Sequence, residues 1–257
     1  MDDLRGIEVT AMGPQTVVFG IPTISKWISA ETYQSMMSLQ WAMFGKGIPL
    51  AQIIVGGDPY LSKVRSKIAT VFLRDYPQAT ALFFIDDDVG FPYEAALRFI
   101  DSDKDVIAGV YPKKEDGPVL QWPADLLADK DTKELFRDEN GLYLASHIPT
   151  GFLRIRRHVL EKIAAQCDTY RDRDASGREI DVYNIFEMGY SREDEEKRTG
   201  KWWGEDFHFA QRWRNMGGEI WVDPNIEFTH RGTRAWAGSF SEAVKNYENS
   251  LVKQAAE

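Results

Sequence analysis

Thr80-Ala81-Leu82-Phe83-Phe84-Ile85-Asp86-Asp87-Asp88 is the stretch on which the fold turns. Its first six residues form a nearly continuous apolar run, as expected of a strand buried on both faces in the middle of a sheet. Three carboxylates then end it abruptly. Open α/β sheets place their ligand crevice outside the carboxyl ends of the strands, so these acids stand where chemistry is expected. Adjacent carboxylates repel one another and are favoured by something cationic. Their hard oxygens suit Mg²⁺ or Mn²⁺ held jointly with substrate phosphates. The plain alternative is a solvated turn or helix N-terminus, where Asp is common.

Outward from this run, short apolar stretches alternate with amphipathic ones, the pattern of parallel βαβ units. Thr16 to Ile21 reads as a first strand. The helix from Ser29 to Phe44 puts Tyr33, Met36, Met37, Trp41 and Phe44 on one face, expected to be core. Ala51 to Val55 is a second strand, broken by Gly56-Gly57-Asp58-Pro59. A helix follows with Val64, Ile68, Val71 and Phe72 at helical spacing. Past the triple Asp, Pro92 suits a first helical position, with Ala96, Phe99 and Ile100 inward, and Asp105 to Tyr111 gives a fourth strand. The second half reads as mixed α+β. It comprises a hairpin from Leu135 to Ile148 turning at Asp138-Glu139-Asn140-Gly141, a strand from Phe152 to Arg156, a charged stretch from Gly189 to Lys201 expected to be a mobile loop, a helix from Glu205 to Met216 and a last strand from Glu219 to Val222.

The 257 residues, 43% hydrophobic and 12% aromatic, suffice for one large domain or two small ones sharing a core. A formal charge of -9 offers no broad positive field for a nucleic acid, so an anionic ligand must be met locally. Cys167 is the single cysteine, and no apolar run approaches the ~20 residues of a membrane helix. Met1-Asp2-Asp3-Leu4-Arg5 has no basic n-region or apolar h-region. These features point to a soluble protein of a reducing compartment, the cytoplasm.

Two further groups could carry chemistry. His230, in Phe228-Thr229-His230-Arg231-Gly232 after an apparent strand end, could complete a metal site, although a lone histidine is more often structural. Gly204-Glu205-Asp206 puts two acids in the first turn of a helix, where the macrodipole favours them. Capping explains one acid easily. It does not explain why Trp202 and Trp203 directly precede a paired acid.

Taken in order, Ile21-Pro22-Thr23, Arg65 in the helix after the second strand, Phe84 to Phe91 with its triple Asp, Pro149-Thr150-Gly151-Phe152, Trp203-Gly204-Glu205-Asp206, and Trp221-Val222-Asp223-Pro224 with His230 resemble glycosyltransferases of the GT-A fold. The likeness is to small, soluble, family 2-like members found in bacterial and phage genomes, and it spans about residues 16 to 232. It implies an α/β fold: a Rossmann-like mixed sheet flanked by helices, in one domain over 1–257. Residues 16–112 would bind a nucleotide-sugar, with a UDP-linked donor favoured, 113–238 the acceptor, and 239–257 would form a C-terminal helix. By this resemblance Asp86 and Asp88 are the DXD pair, with Asp86 towards the ribose or the metal and Asp88 on Mn²⁺ or Mg²⁺. Asp87 lies between them near the nucleotide. His230 is the late metal or diphosphate ligand. Pro22, Thr23, Asp58 and Arg65 meet the nucleotide. Asp206 is the general base, with Glu205 as second choice, and Thr150, Gly151, Trp202, Trp203 and Gly204 face the sugar or acceptor. The chain departs from the common pattern at Ser66, where Asn is frequent, and at Asp87, where a neutral residue often sits. Partners would be a UDP-sugar and a glycan or other hydroxyl acceptor, in a host cytoplasm if the chain is phage-encoded.

Other readings compete. A haloacid-dehalogenase phosphohydrolase also uses Asp-x-Asp after an apolar strand, but usually near the N-terminus and followed by Gly-Thr, whereas Val89-Gly90-Phe91 follows here. A nucleotidyltransferase would carry a glycine-rich, basic loop after strand one, which Ile21-Pro22-Thr23-Ile24 is not. A non-catalytic carbohydrate-binding module could stack sugars on Trp202, Trp203 and Trp236.

Overall fold

A computed structural model describes residues 17–174, 177–194 and 199–255. In chain order the elements are β1 (Val17–Thr23), α1 (Ala30–Gly45), β2 (Ala51–Gly56), α2 (Leu61–Asp75), β3 (Ala81–Ile85), β4 (Val89–Gly90), α3 (Tyr93–Asp101), β5 (Val106–Gly109), β6 (Asp125–Leu126) and β7 (Tyr143–His147). The chain continues through β8 (Phe152–Arg156), α4 (Arg157–Ala164), β9 (Thr169–Arg173), β10 (Glu179–Tyr183), β11 (Gly189–Asp194), β12 (Thr199–Trp203), α5 (Glu205–Asn215), β13 (Trp221–Asp223), β14 (Glu227–Arg231), β15 (Ala235–Ser239) and α6 (Ser241–Ala255).

The main sheet has eight strands in the order β2-β1-β3-β8-β5-β13-β7-β6. β1 is parallel to β2 and β3, and β13 to β5, while β8 runs antiparallel to both its neighbours, β3 and β5. This is the mixed, helix-flanked α/β sheet expected from the sequence. β8 and β13 come from the second half of the chain, so the two halves share one sheet.

β3 shows why its run carries so few polar atoms. Leu82 and Phe84 enter the core shared with α2, α4 and α5, and Ala81, Phe83 and Ile85 enter the core shared with α1 and α3. All five are buried. Phe83 packs on Phe19, Phe99 and Phe152 with ring centroids 5.4, 5.9 and 4.9 Å away. On β1, a Cβ at Gly20 would lie 2.6 Å from the Ile68 side chain, so glycine is what lets α2 press onto the sheet.

Some expectations need correction. On α1 the buried residues are Thr32, Met36, Leu39 and Met43, while Tyr33, Trp41 and Phe44 are 58%, 70% and 77% exposed. The apolar residues of this helix are spread over more than one face, so periodicity alone could not choose the inner one. The stretch from Gly189 to Lys201 is not an irregular loop where it is described. β11 and β12 pair as an antiparallel hairpin with Tyr190 opposite Trp202, and residues 195–198 lie outside the described part. Pro92 caps α3 from outside its first turn, and β5 is shorter than Asp105 to Tyr111. The turn at Asp138 to Gly141 stands as read: Asp138 accepts from the Asn140 and Leu142 amides, and Gly141 has φ +79°.

Candidate functional site

Strand order assembles a cluster of charged side chains at the carboxyl end of β3. Asp86 leaves the sheet as its amide donates to the Gly151 carbonyl across the β3–β8 ladder (2.9 Å), which puts Thr150 and Gly151 beside the acids. A Cβ on Gly151 would lie 2.3 Å from Asp86 Oδ2 and 2.4 Å from the Tyr111 hydroxyl, so no side chain fits there. After a tight turn, β4 pairs with β14 so that His230 stands opposite Val89, and the Arg231 amide donates to the Asp88 carbonyl at 2.8 Å. This ladder closes the long sequence gap between Asp88 and His230.

The first group of contacts centres on Arg65, which α2 sends into the protein from the β2 side. Its side chain is 2% exposed. Nη2 donates to Asp86 Oδ1 at 2.7 Å, Nε reaches Glu205 Oε1 at 3.5 Å, and the guanidinium lies over the Phe84 ring. Burial alone would lower its pKa, but Asp86 and Glu205 outweigh that and hold it raised. Nη1 is buried and makes no hydrogen bond among the described residues. The other Asp86 oxygen accepts from the Tyr111 hydroxyl (3.3 Å), which in turn accepts from the Gly151 amide (3.1 Å).

The second group centres on Asp88. His230 Nε2 is 3.3 Å from Asp88 Oδ1, and Lys114 is ion-paired to Oδ2. Burial pushes the Asp88 pKa up, but His230 and Lys114 more than reverse this, and the net shift is downward. His230 Nδ1 lies 2.7 Å from the Pro112 carbonyl, which can only accept, so Nδ1 carries a proton and Nε2 faces the carboxylate. Asp87 is driven the other way. Burial and its two acidic neighbours raise its pKa, against a hydrogen bond from Thr23.

The third group opens α5. Gly204 is its N-cap, and a Cβ there would lie 2.9 Å from Asp206 Oδ1, so glycine lets that carboxylate fold back over the helix end. Asp206 accepts from the Phe207 amide at 2.8 Å. Burial first, then Glu205, pushes its pKa up to about 6. Trp203 stacks with His147 and tilts against Phe207 at ring-centroid distances of 5.3 and 5.5 Å, so the aromatic residue before Gly204 is packed and not free.

The residues named from the sequence are not all joined. Arg65, Asp86, Glu205 and Gly151 meet, as do Asp88 and His230. Thr23 reaches Asp87, and Pro22 lies beside it on β1. Asp58 sits at the end of β2 and is taken up by Lys63 (2.8 Å) and the Tyr60 amide (3.0 Å). Trp202 is 69% exposed on the hairpin. Asp86, read also as a metal ligand, has both oxygens engaged by Arg65 and Tyr111. Tyr111 and Lys114 were missed. Tyr111 carried a usable signal, being the polar end of a buried strand on the same sheet edge; Lys114 carried none. Among the described residues no three His, Cys, Asp or Glu side chains stand together in a way that could hold a metal ion.

A cavity of about 410 Å³ at the opposite end of the sheet is lined by Arg154, Arg156 and Arg157. The guanidiniums of Arg154 and Arg157 are spent on the carbonyls that close α3 and α2, which makes this end structural.

No protein-family model matches the chain, and no curated protein matches it in sequence. Among solved structures it is similar to A197 from STIV, with a TM-score of 0.50 and 16% identity over 88% of this chain and 91% of that one. At that identity the two share a fold.

Proposed function

We propose that the protein is a glycosyltransferase that moves a sugar from a nucleoside-diphosphate donor, with UDP favoured, to a hydroxyl acceptor with the help of Mn²⁺ or Mg²⁺. One observation carries the reading: Arg65–Asp86 and Asp88–His230 converge at the carboxyl end of β3, facing the α5 turn that holds Asp206. A chain with net charge -9 has concentrated cationic groups at one acidic edge, where a diphosphate can be met locally.

Asp88 and His230 suit a divalent cation in part. They are two adjacent donors, and the Nδ1–H bond to Pro112 fixes the imidazole with Nε2 towards the carboxylate, as in metal sites. Two protein ligands leave positions for phosphate oxygens. When bound, the cation supplies positive charge against the diphosphate. Asp86, braced by Arg65 and Tyr111, is held ready to accept a ribose hydroxyl. Asp206 takes the proton of the acceptor hydroxyl as its oxygen attacks the anomeric carbon; the bond from that carbon to the diphosphate breaks, and the nucleoside diphosphate leaves. With one in-line displacement the product is inverted. Glu205, oriented by Arg65, is placed to bind an acceptor hydroxyl.

The test is Mn²⁺ binding with and without UDP, paired with a screen of nucleotide-sugars for metal-dependent hydrolysis. UDP-dependent Mn²⁺ binding by the wild type that is lost in Asp88→Ala supports the reading; equal binding by both proteins overturns it. Metal-independent glycan binding without nucleotide affinity would favour the carbohydrate-binding alternative, for which exposed Trp202 is the natural platform.

A further inference from the structure

The segment after β5 is fastened over the site at three points. His230 Nδ1 donates to the Pro112 carbonyl (2.7 Å), Trp236 Nε1 donates to the Glu115 carbonyl (3.1 Å), and Arg234 pairs with Asp116. Lys114 lies between these ties and returns its ammonium to Asp88. Its stem passes over Gly232, where a Cβ would lie 3.1 Å from Lys114 Cδ and 3.0 Å from the Trp236 ring. This lysine is therefore positioned by its surroundings. Its side chain is still 32% exposed, so the ammonium is free to move to a new partner within reach.

We propose that Lys114 is the counter-cation of Asp88 in the nucleotide-free protein and passes to the donor's diphosphate when Asp88 takes up a divalent cation, so that the lysine couples metal binding to nucleotide binding. The inference rests on the nucleotide-sugar reading above. An ammonium and a metal ion compete for the same carboxylate, so metal affinity without nucleotide is held down. A diphosphate offers the displaced ammonium a new anionic partner, and each ligand then strengthens the other by the same factor.

Calorimetric titration of the full chain tests this with Mn²⁺, UDP and uridine as probes. Losing one charge-assisted hydrogen bond shifts an affinity by roughly tenfold. Lys114→Met should therefore bind Mn²⁺ about tenfold more tightly than wild type without UDP, and UDP about tenfold more weakly with Mn²⁺ present, with uridine affinity unchanged. Lys114→Arg keeps the charge and should stay near wild type in the nucleotide-free Mn²⁺ titration. If it behaves like Lys114→Met there, the effect comes from loop packing and the proposal falls. Mn²⁺ or UDP affinity unchanged in Lys114→Met also overturns it. A wild type that binds UDP while Lys114→Met matches it sinks this inference alone. A wild type that binds no nucleoside diphosphate sinks the functional reading as well.

Discussion

Two arginines are buried to the same degree at opposite ends of the sheet, and their surroundings differ in kind. Arg154 on β8 is 1% exposed and gives its N–H groups to the carbonyls of Phe99, Ser102, Lys104 and Asp105, all backbone. Burial and the nearby Arg156 pull its pKa down to about 10. Arg65 is 2% exposed, faces carboxylates, has its pKa raised, and keeps Nη1 without a partner among the described residues. Arg154 is a lock: partial charges at the end of α3 are matched, and each of its three nitrogens has a carbonyl partner. Arg65 is matched by full charges on side chains from two different parts of the chain, with one donor held in reserve. A buried charge that is satisfied by backbone is there for the fold, whereas one left incompletely satisfied among acids is a candidate for ligand chemistry.

The sharpest way to break this contrast is to remove each arginine. Arg154→Leu leaves several buried carbonyls without donors and should cost about 4 kcal/mol of stability. The fraction that stays folded should bind UDP as the wild type does. Arg65→Leu leaves Asp86 and Glu205 partly solvated, and should cost less stability, about 2 kcal/mol, while weakening UDP binding by at least tenfold. Denaturant unfolding and calorimetry on both variants measure the two quantities. Equal loss of UDP affinity in the folded fractions would erase the distinction.

How far the sequence disclosed this arrangement depends on what each signal is made of. β3 was legible because burial on both faces leaves no polar residue in its run, and the acids after it were legible because three carboxylates have few structural uses together. His230 was not legible from spacing: its approach to Asp88 depends on the β4–β14 ladder, which only the folded chain contains. Lys114 was invisible for a related reason, since the three ties that hold it come from a distant hairpin. Arg154 and Arg156 alternate with Leu153 and Ile155, a pattern that by itself does not disclose that the strand is central. β8 in fact lies inside the sheet between β3 and β5, so its arginines must find carbonyls instead of water. The charged stretch from Gly189 hid a hairpin whose usable clue was the cross-strand pair Tyr190–Trp202.

Asp206 sharpens the same contrast within the site, because its stability and its activity should change oppositely with pH. Its pKa is raised from 3.8 to about 6, so between those values the folded state binds more protons than the unfolded one. Stability therefore falls as pH rises through that window and stays lower above it. A general base must be ionised, so kcat/KM should climb with pH, reach half its plateau at about pH 6 and level off roughly one pH unit higher. Asp206→Asn should abolish the climb, lower turnover on the order of a hundredfold or more, leave UDP affinity nearly unchanged, and be more stable than wild type above the window. NMR of the first-formed product adds an independent check, because retained anomeric configuration would remove Asp206 from this role.

The smallest expected effect tests α1, where two apolar stripes run side by side. Leu39 is fully buried in the core beneath β1 and β3, and Leu39→Ala should cost roughly 2–5 kcal/mol through lost contacts and the cavity left behind. Trp41 is larger and more hydrophobic, yet it is 70% exposed, so Trp41→Ala should move stability by no more than about 0.5 kcal/mol. Thermal unfolding of the two variants decides which stripe faces inward. A Trp41→Ala loss comparable to that of Leu39→Ala would mean that the helix is rotated about its axis, with its aromatic residues in the core as the spacing alone suggests. That rotation would also turn Ser35, which accepts from the Phe91 amide at 2.9 Å, away from the segment that follows the triple Asp. The position of the acids is thus tied to the same choice of face, and a single exposed tryptophan tests it at the least cost in stability.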